Sequence, residues 1–219
     1  MAASRLRHDV RHNNAADAED ASDALAALLA EVRACRLCAL PAGPRPIVEM
    51  SGTARLLIIG QAPGTRVHAS GAAWDDASGD RLREWTGLPR AVFYDTARVA
   101  QVPMGLCYPG KGASGDLPPR RECAPLWHDR LLAQLPADRL TLLVGAHAQK
   151  RYMGGAGNMT ARVRDFRAAP AGLFPLPHPS WRSTGWMRRN PWFEAEVLPE
   201  LRSAVAVAIR GADFPAGPR

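Results

Sequence analysis

At 219 residues with 47% hydrophobic side chains, the chain is long enough for one medium-sized domain with a full core. A formal charge of +7, from 28 Lys+Arg against 21 Asp+Glu and almost all arginine, favours polyanionic partners such as nucleic acid. No apolar run approaches a membrane span and MAASRLRHDVRHNNAADAEDAS lacks a signal-peptide core, so no membrane partner and a reducing, cytoplasmic, nucleoid-associated setting are expected.

Residues 1–20 are polar and aperiodic, which predicts a disordered arm; a single domain is expected over 21–210 and a flexible tail over 211–219. SDALAALLAEVRA at 22–34 carries apolar positions at helical spacing, with Ser22 or Asp23 available as a cap, and runs into Cys35. After the PAGPRP loop, RLLII at 55–59 predicts a buried parallel strand ended by Gly60. A helix is predicted at 78–86, a second strand at 91–95 (AVFYD) extending toward Val99 and Val102, and a helix at 119–134. RLTLLV at 139–144 predicts a third strand, followed by a helix at 146–152, a fourth strand at 173–176 (LFPL) and an amphipathic helix at 191–209. Strands alternating with helices argue for an α/β fold: a three-layer α/β/α sandwich around a central four-stranded parallel sheet. Ligands of such sheets sit beyond the carboxyl ends of the strands. The pocket is therefore expected among GQAPG at 60–64, PHPSWR at 177–182 and the Asp95 end of the second strand.

Cys35 and Cys38 form a Cys-x-x-Cys pair, and Cys107 and Cys123 lie far downstream. Thiolates drawn from such distant segments suit a metal centre tying the start of the chain to its middle. Four thiolates match a [4Fe–4S] cluster, and zinc uses the same ligand set. A redox dithiol or two disulfides are the alternatives, the second disfavoured in a reducing compartment.

Three loops carry candidate chemistry. Glycines in GQAPG permit a sharp turn with backbone amides close to a ligand, although the pentapeptide by itself reads as an ordinary strand-to-helix loop. Trp74 lies in a small-residue, acidic loop, where it either stacks on a planar ligand or caps the core, and Asp76 or Ser78 is expected to cap the following helix. His178 is stiffened by Pro177 and Pro179 and followed by Ser180, Trp181 and Arg182, then Arg188 and Arg189. Such a loop suits DNA: guanidinium groups for phosphates and an indole for insertion into the base stack.

Taken together, Gly60-Gln61-Ala62-Pro63-Gly64, the Gly-x-x-aromatic at 71–74, Ser78-Gly79-x-Arg81-Leu82 and His178-Pro179-Ser180 resemble the uracil-DNA glycosylase superfamily over about residues 30–205. The cysteine pattern is similar to its iron–sulfur branch, family 4. The resemblance implies a DNA-repair hydrolase that flips uracil from single- or double-stranded DNA and cleaves its N-glycosidic bond as a monofunctional enzyme; a monomer is expected. It implies that Trp74 stacks on the flipped base, that His178 hydrogen-bonds uracil O2, and that backbone around Gln61, Ala62 and Gly64 contacts the base or holds water. It implies further that Cys35, Cys38, Cys107 and Cys123 ligate a structural cluster. Two departures stand out. Many members carry Glu or Asp where this chain has Gln61 and Ala62, and Gln61 can orient a water but not take its proton. Asp95 takes the place of an Asn that reads uracil N3–H and O4, and an ionised carboxylate cannot donate to O4. Asp75 or Asp76 is the candidate compensating carboxylate. The rival readings are a glycosylase for another deaminated base, a non-catalytic reader of uracil or abasic sites, and a zinc-stabilised nucleic-acid-binding module.

Overall fold

The computed structural model describes residues 19–113, 115–154 and 157–210. The expected tail, 211–219, and the expected arm as far as 18 lie outside the described residues. Residues 19 and 20 are already helical, so helix α1, described over 19–33, starts upstream of its predicted beginning. Its buried Leu25, Leu28, Leu29 and Val32 form an i, i+3, i+4, i+7 stripe.

Four parallel strands follow: β1 (Leu56–Ile59), β2 (Val99–Gln101), β5 (Leu140–Val144) and β6 (Leu173–Leu176), in the order β2-β1-β5-β6. Every residue of β1 is buried because the sheet is covered on both faces, and alternate side chains supply the two cores. Leu57, Ile59, Ala100 and Leu143 pack with α1, with Trp127 and Leu131 of α5 (Cys123–Leu132) and with Ala148 of α6 (Ala146–Met153). Leu56, Ile58, Leu142 and Val144 pack with Leu82 and Trp85 of α3 (Ala77–Thr86), with Val163 of α7 (Met159–Arg164) and with Leu201 and Val205 of α9 (Leu198–Arg210). The three-layer α/β/α sandwich is thus the observed fold. No helix among the described residues is long and apolar enough to cross a membrane.

Two short elements frame the loops beyond the carboxyl ends of the strands. Helix α2 (Thr65–Ser70) follows the GQAPG turn, and an antiparallel hairpin, β3 (Lys111–Gly112) with β4 (Gly115–Asp116), follows β2. Neither is evident from hydrophobic periodicity, because both are too short to bury a stripe. Two further unforeseen helices, α7 (Met159–Arg164) and α8 (Ser183–Arg189), lie before β6 and after PHPSW.

The strand predicted at 91–95 is instead a single helical turn, α4 (Arg90–Phe93), introduced by Pro89. Only Phe93 of that turn is buried. Asp95 then accepts a hydrogen bond from the Ala97 amide, turning the chain before β2 begins at Val99. Aromatic and β-branched residues gave 91–95 its strand character, and tertiary packing of one ring overrode it. The predicted helix at 191–209 opens as a π-helical turn, Phe193–Val197, before α9. Pro199 explains the wider turn: it has no N–H to donate and its ring crowds the carbonyl four residues back.

In the order β2-β1-β5-β6 the connections leave β1 and β5 in opposite directions. The crevice between their carboxyl ends is therefore the topological switch point, and the candidate loops meet there.

Candidate active site

The turn after β1 is held from behind. The Met104 amide donates to Gly60 O at 2.9 Å and the Gly105 amide to Gln61 O at 2.9 Å. None of the amides of Gln61, Ala62 and Gly64 donates to a backbone carbonyl among the described residues. All three residues line a cavity of about 470 Å³.

Trp74 forms one wall. A Cβ at Gly60 would lie 2.6 Å from Trp74 Cζ2, so only glycine lets the indole close over the turn. Trp74 is the one non-glycine described residue with positive φ, 59°. That left-handed backbone is held from two sides. Tyr94 donates its hydroxyl to Trp74 O at 3.0 Å, and Arg83 donates to the Tyr94 hydroxyl at 3.0 Å. On the other side Gly79 packs so tightly that a Cβ there would sit 1.7 Å from Trp74 O. Asp76 caps α3 by accepting from the Gly79 amide at 2.9 Å, as the sequence predicted for Asp76 or Ser78.

His178 enters from the loop after β6. Gly145, at φ 91°, leaves room for it: a Cβ there would approach His178 Cβ at 3.4 Å. The His178 carbonyl accepts from the Ser180 amide at 2.9 Å and from the Ser183 hydroxyl, and Arg81 donates to Ser180 O at 2.6 Å. The imidazole stands 5.9 Å from the Trp74 ring, centroid to centroid, tilted by 32°. A planar base between two rings needs about 7 Å, two stacking distances, so these rings form adjoining walls and a base stacks on an open face. Burial lowers the His178 pKa below the usual imidazole value, while the charges of Asp76 and Asp116 oppose that shift. The balance favours a neutral ring at pH 7, able to donate a hydrogen bond without carrying charge.

Gln61, Ala62, Gly64, Trp74, Asp76, His178, Ser180, Trp181 and Arg182 therefore share one cavity. Three other candidates do not. Asp75 pairs with Arg90 at 3.1 Å outside the cavity lining. Arg188 is exposed on α8, also outside the lining. Asp95 precedes β2, away from the strand's carboxyl end, and its carboxylate is engaged by the Ala97 amide and by Arg98 at 3.1 Å. The reading of Asp95 as a base-contacting residue is corrected accordingly: taking 91–95 for a strand carried Asp95 to the wrong end of the sheet.

One ionisable residue of the cavity lining was not foreseen from sequence. The hairpin brings in Asp116, whose Oδ2 lies 3.4 Å from the point where a Cβ of Gly64 would stand; Asp76 Oδ2 lies 3.9 Å from the same point. The glycines of GKGASGD were the available signal, since such a cluster predicts a tight hairpin. At the cavity mouth Trp181 is 77% exposed, with the Arg182 guanidinium 5.3 Å over its ring and against Gly115 of the hairpin.

The four cysteines form no disulfide and line a second, small hollow walled by Pro44, Pro46, Leu106 and Trp127. Burial pushes the Cys107 and Cys123 thiols up to about 11, and the Leu106 amide donates to Cys123 Sγ at 3.3 Å. No three His, Cys, Asp or Glu among the described residues gather as a site for a single metal ion. An all-sulfur donor set lining a largely apolar hollow is chemically compatible with an iron–sulfur cluster and with zinc.

A parallel α/β sandwich with an indole, an imidazole and a glycine turn gathered at its switch point defines a ligand-binding protein of the enzyme type. Residues 48–202 match the family model described as the uracil DNA glycosylase superfamily. The chain belongs to that superfamily, and its activity falls among DNA-repair glycosylases.

Proposed function

We propose that the protein excises uracil from DNA by hydrolysing the N-glycosidic bond. The reading rests on one observation: Trp74, His178 and the GQAPG amides line a single cavity. A flipped uracil stacks on the open face of the Trp74 indole. As the bond to the sugar lengthens, negative charge gathers on the base. A neutral His178 donating to O2, with the turn amides as further donors, stabilises that charge. Gln61 orients the water that adds to the cationic sugar, and Asp76 lends that cation a carboxylate. Trp181 and Arg182 at the rim suit insertion into the stack and contact with phosphate. Cys35, Cys38, Cys107 and Cys123 would hold a structural [4Fe–4S] cluster, stiffening the segment between β2 and α5. With Asp95 outside the cavity lining, its charge gives no reason to prefer another base. Two carboxylates inside the cavity support the catalytic reading over a non-catalytic binder.

The test is single-turnover release of free uracil from single- and double-stranded oligonucleotides by anaerobically purified protein. His178→Ala should slow release by about 10²–10³-fold, the usual cost of losing such a donor, with DNA binding retained. An unchanged rate removes His178 from the mechanism. Release of hypoxanthine but not uracil would reassign the substrate.

A further inference from the structure

We infer that Asp116 is a catalytic carboxylate, supplied to the cavity by the β3–β4 hairpin in place of the acidic residue that the turn after β1 lacks. The inference rests on the glycosylase reading above. GQAPG has an amide side chain at 61 and a methyl at 62, and neither can accept a proton from water at neutral pH. The carboxylates that face the turn come from elsewhere in the chain, and they are not equivalent.

One oxygen of Asp76 is committed to structure: Oδ1 accepts from the Gly79 amide at 2.9 Å and caps α3, which leaves the charge to face the cavity but holds the group back from taking a water proton. Only its Oδ2 looks toward Gly64, 3.9 Å from the position of a Cβ there. Asp116 comes closer, at 3.4 Å from the same point, and its other oxygen receives only a long contact, 3.4 Å, from the Tyr108 hydroxyl. Its acceptor capacity is thus largely open to a water above the turn. Glycine at 64 keeps the gap between the carboxylates and the turn empty. The hairpin is anchored where it matters: the Leu117 amide donates to Gly110 O at 2.9 Å, closing the loop that carries Asp116. Lys111 is its cross-strand partner, and the Arg182 guanidinium lies against Gly115. A loop carrying Trp181 and a hairpin carrying Asp116 therefore meet at the cavity mouth, where the sugar of a flipped nucleotide passes.

The chemistry balances without any co-reactant. The glycosidic C–N bond breaks with its electron pair leaving on the base. Water forms the new C–O bond, its proton passes to the Asp116 carboxylate and then to solvent, and the base anion takes a proton from solvent. Before the water adds, the same carboxylate stabilises the cationic sugar.

The experiment compares wild type, Asp116→Asn and Asp116→Glu in single-turnover uracil release at saturating oligonucleotide, with DNA affinity measured in parallel. Asp116→Asn has the same shape and can still accept from Tyr108, so the hairpin should survive. The expected result is a rate at least about 100-fold lower, the range of general acid–base assistance, with DNA affinity equal or tighter because a negative charge is gone. Asp116→Glu should recover part of that loss. A rate for Asp116→Asn within about threefold of wild type, a loss that simply parallels DNA affinity, or Asp116→Glu no faster than Asp116→Asn overturns the inference. Wild type that frees no base overturns the glycosylase reading as well; wild type that frees uracil while Asp116→Asn matches it overturns this inference alone.

Discussion

His128 should make the fold acid-sensitive by an amount the structure sets. It lies on α5 with no exposed surface, hydrogen-bonded to Tyr152 of α6 and to Pro103 in the segment that follows β2. Nε2 is 3.0 Å from Pro103 O, which fixes the proton on that nitrogen, so Nδ1 must accept from the Tyr152 hydroxyl. Protonation would put a second proton where the hydroxyl points and a charge on a fully buried ring. Burial accordingly lowers the His128 pKa from 6.5 to about 4, with Arg151 adding to the effect and the Pro103 carbonyl and Asp129 opposing it. The unfolded chain binds this proton at higher pH than the folded one does. Neutral His128 therefore contributes fully to stability above pH of about 6.5 and progressively loses that contribution as pH falls to about 4. A displacement of this size corresponds to about 3 kcal/mol. His147 and His178 are lowered by burial as well, so the quantity to measure is the difference between wild type and His128→Gln. Urea unfolding followed by tryptophan fluorescence between pH 4 and 7.5 gives it, the m-value serving as a check on two-state behaviour. Wild type should lose about 3 kcal/mol more than the variant across that interval. Parallel pH curves for the two proteins would refute the assignment. Pro103 lines the cavity, so acid should also loosen the cavity wall before global unfolding.

Gly79→Ala places a methyl inside the Trp74 carbonyl and cannot relax without moving that loop. It should cost at least about 2 kcal/mol, a drop in Tm of roughly 4–8 °C for a chain of this size, and should cut base release because the indole is displaced. A Tm change below about 1 °C in a calorimetric scan would show that the loop has more slack than its geometry allows. Cys107→Ser should abolish bound iron and acid-labile sulfide together with the brown colour, and lower thermal stability. Zinc without iron in metal analysis of wild-type protein would refute the cluster.

The sandwich was legible because its signals are long-range and redundant. The runs at 55–59, 139–144 and 173–176 each end at a glycine or proline turn, and each forms a strand of one parallel sheet. His178 was legible because it lies just past a predicted strand end that the fold class sends to the ligand edge, whereas only the resemblance tied Trp74 to it. The two failures have separate physical causes. AVFYD has strand composition and stands beside a true strand, so the misread element displaced every residue assigned from it. Asp95 was moved from the start of β2 to its end, which in a parallel sheet is the difference between the structural face and the ligand face. Asp116 was missed for the complementary reason: two residues on each side of a hairpin bury nothing, so periodicity has nothing to report there. A carboxylate delivered in this way is free to change position in sequence while keeping its place in space. The absence of an acid from GQAPG is therefore a statement about one turn, and whether the reaction lacks a base has to be judged at the cavity.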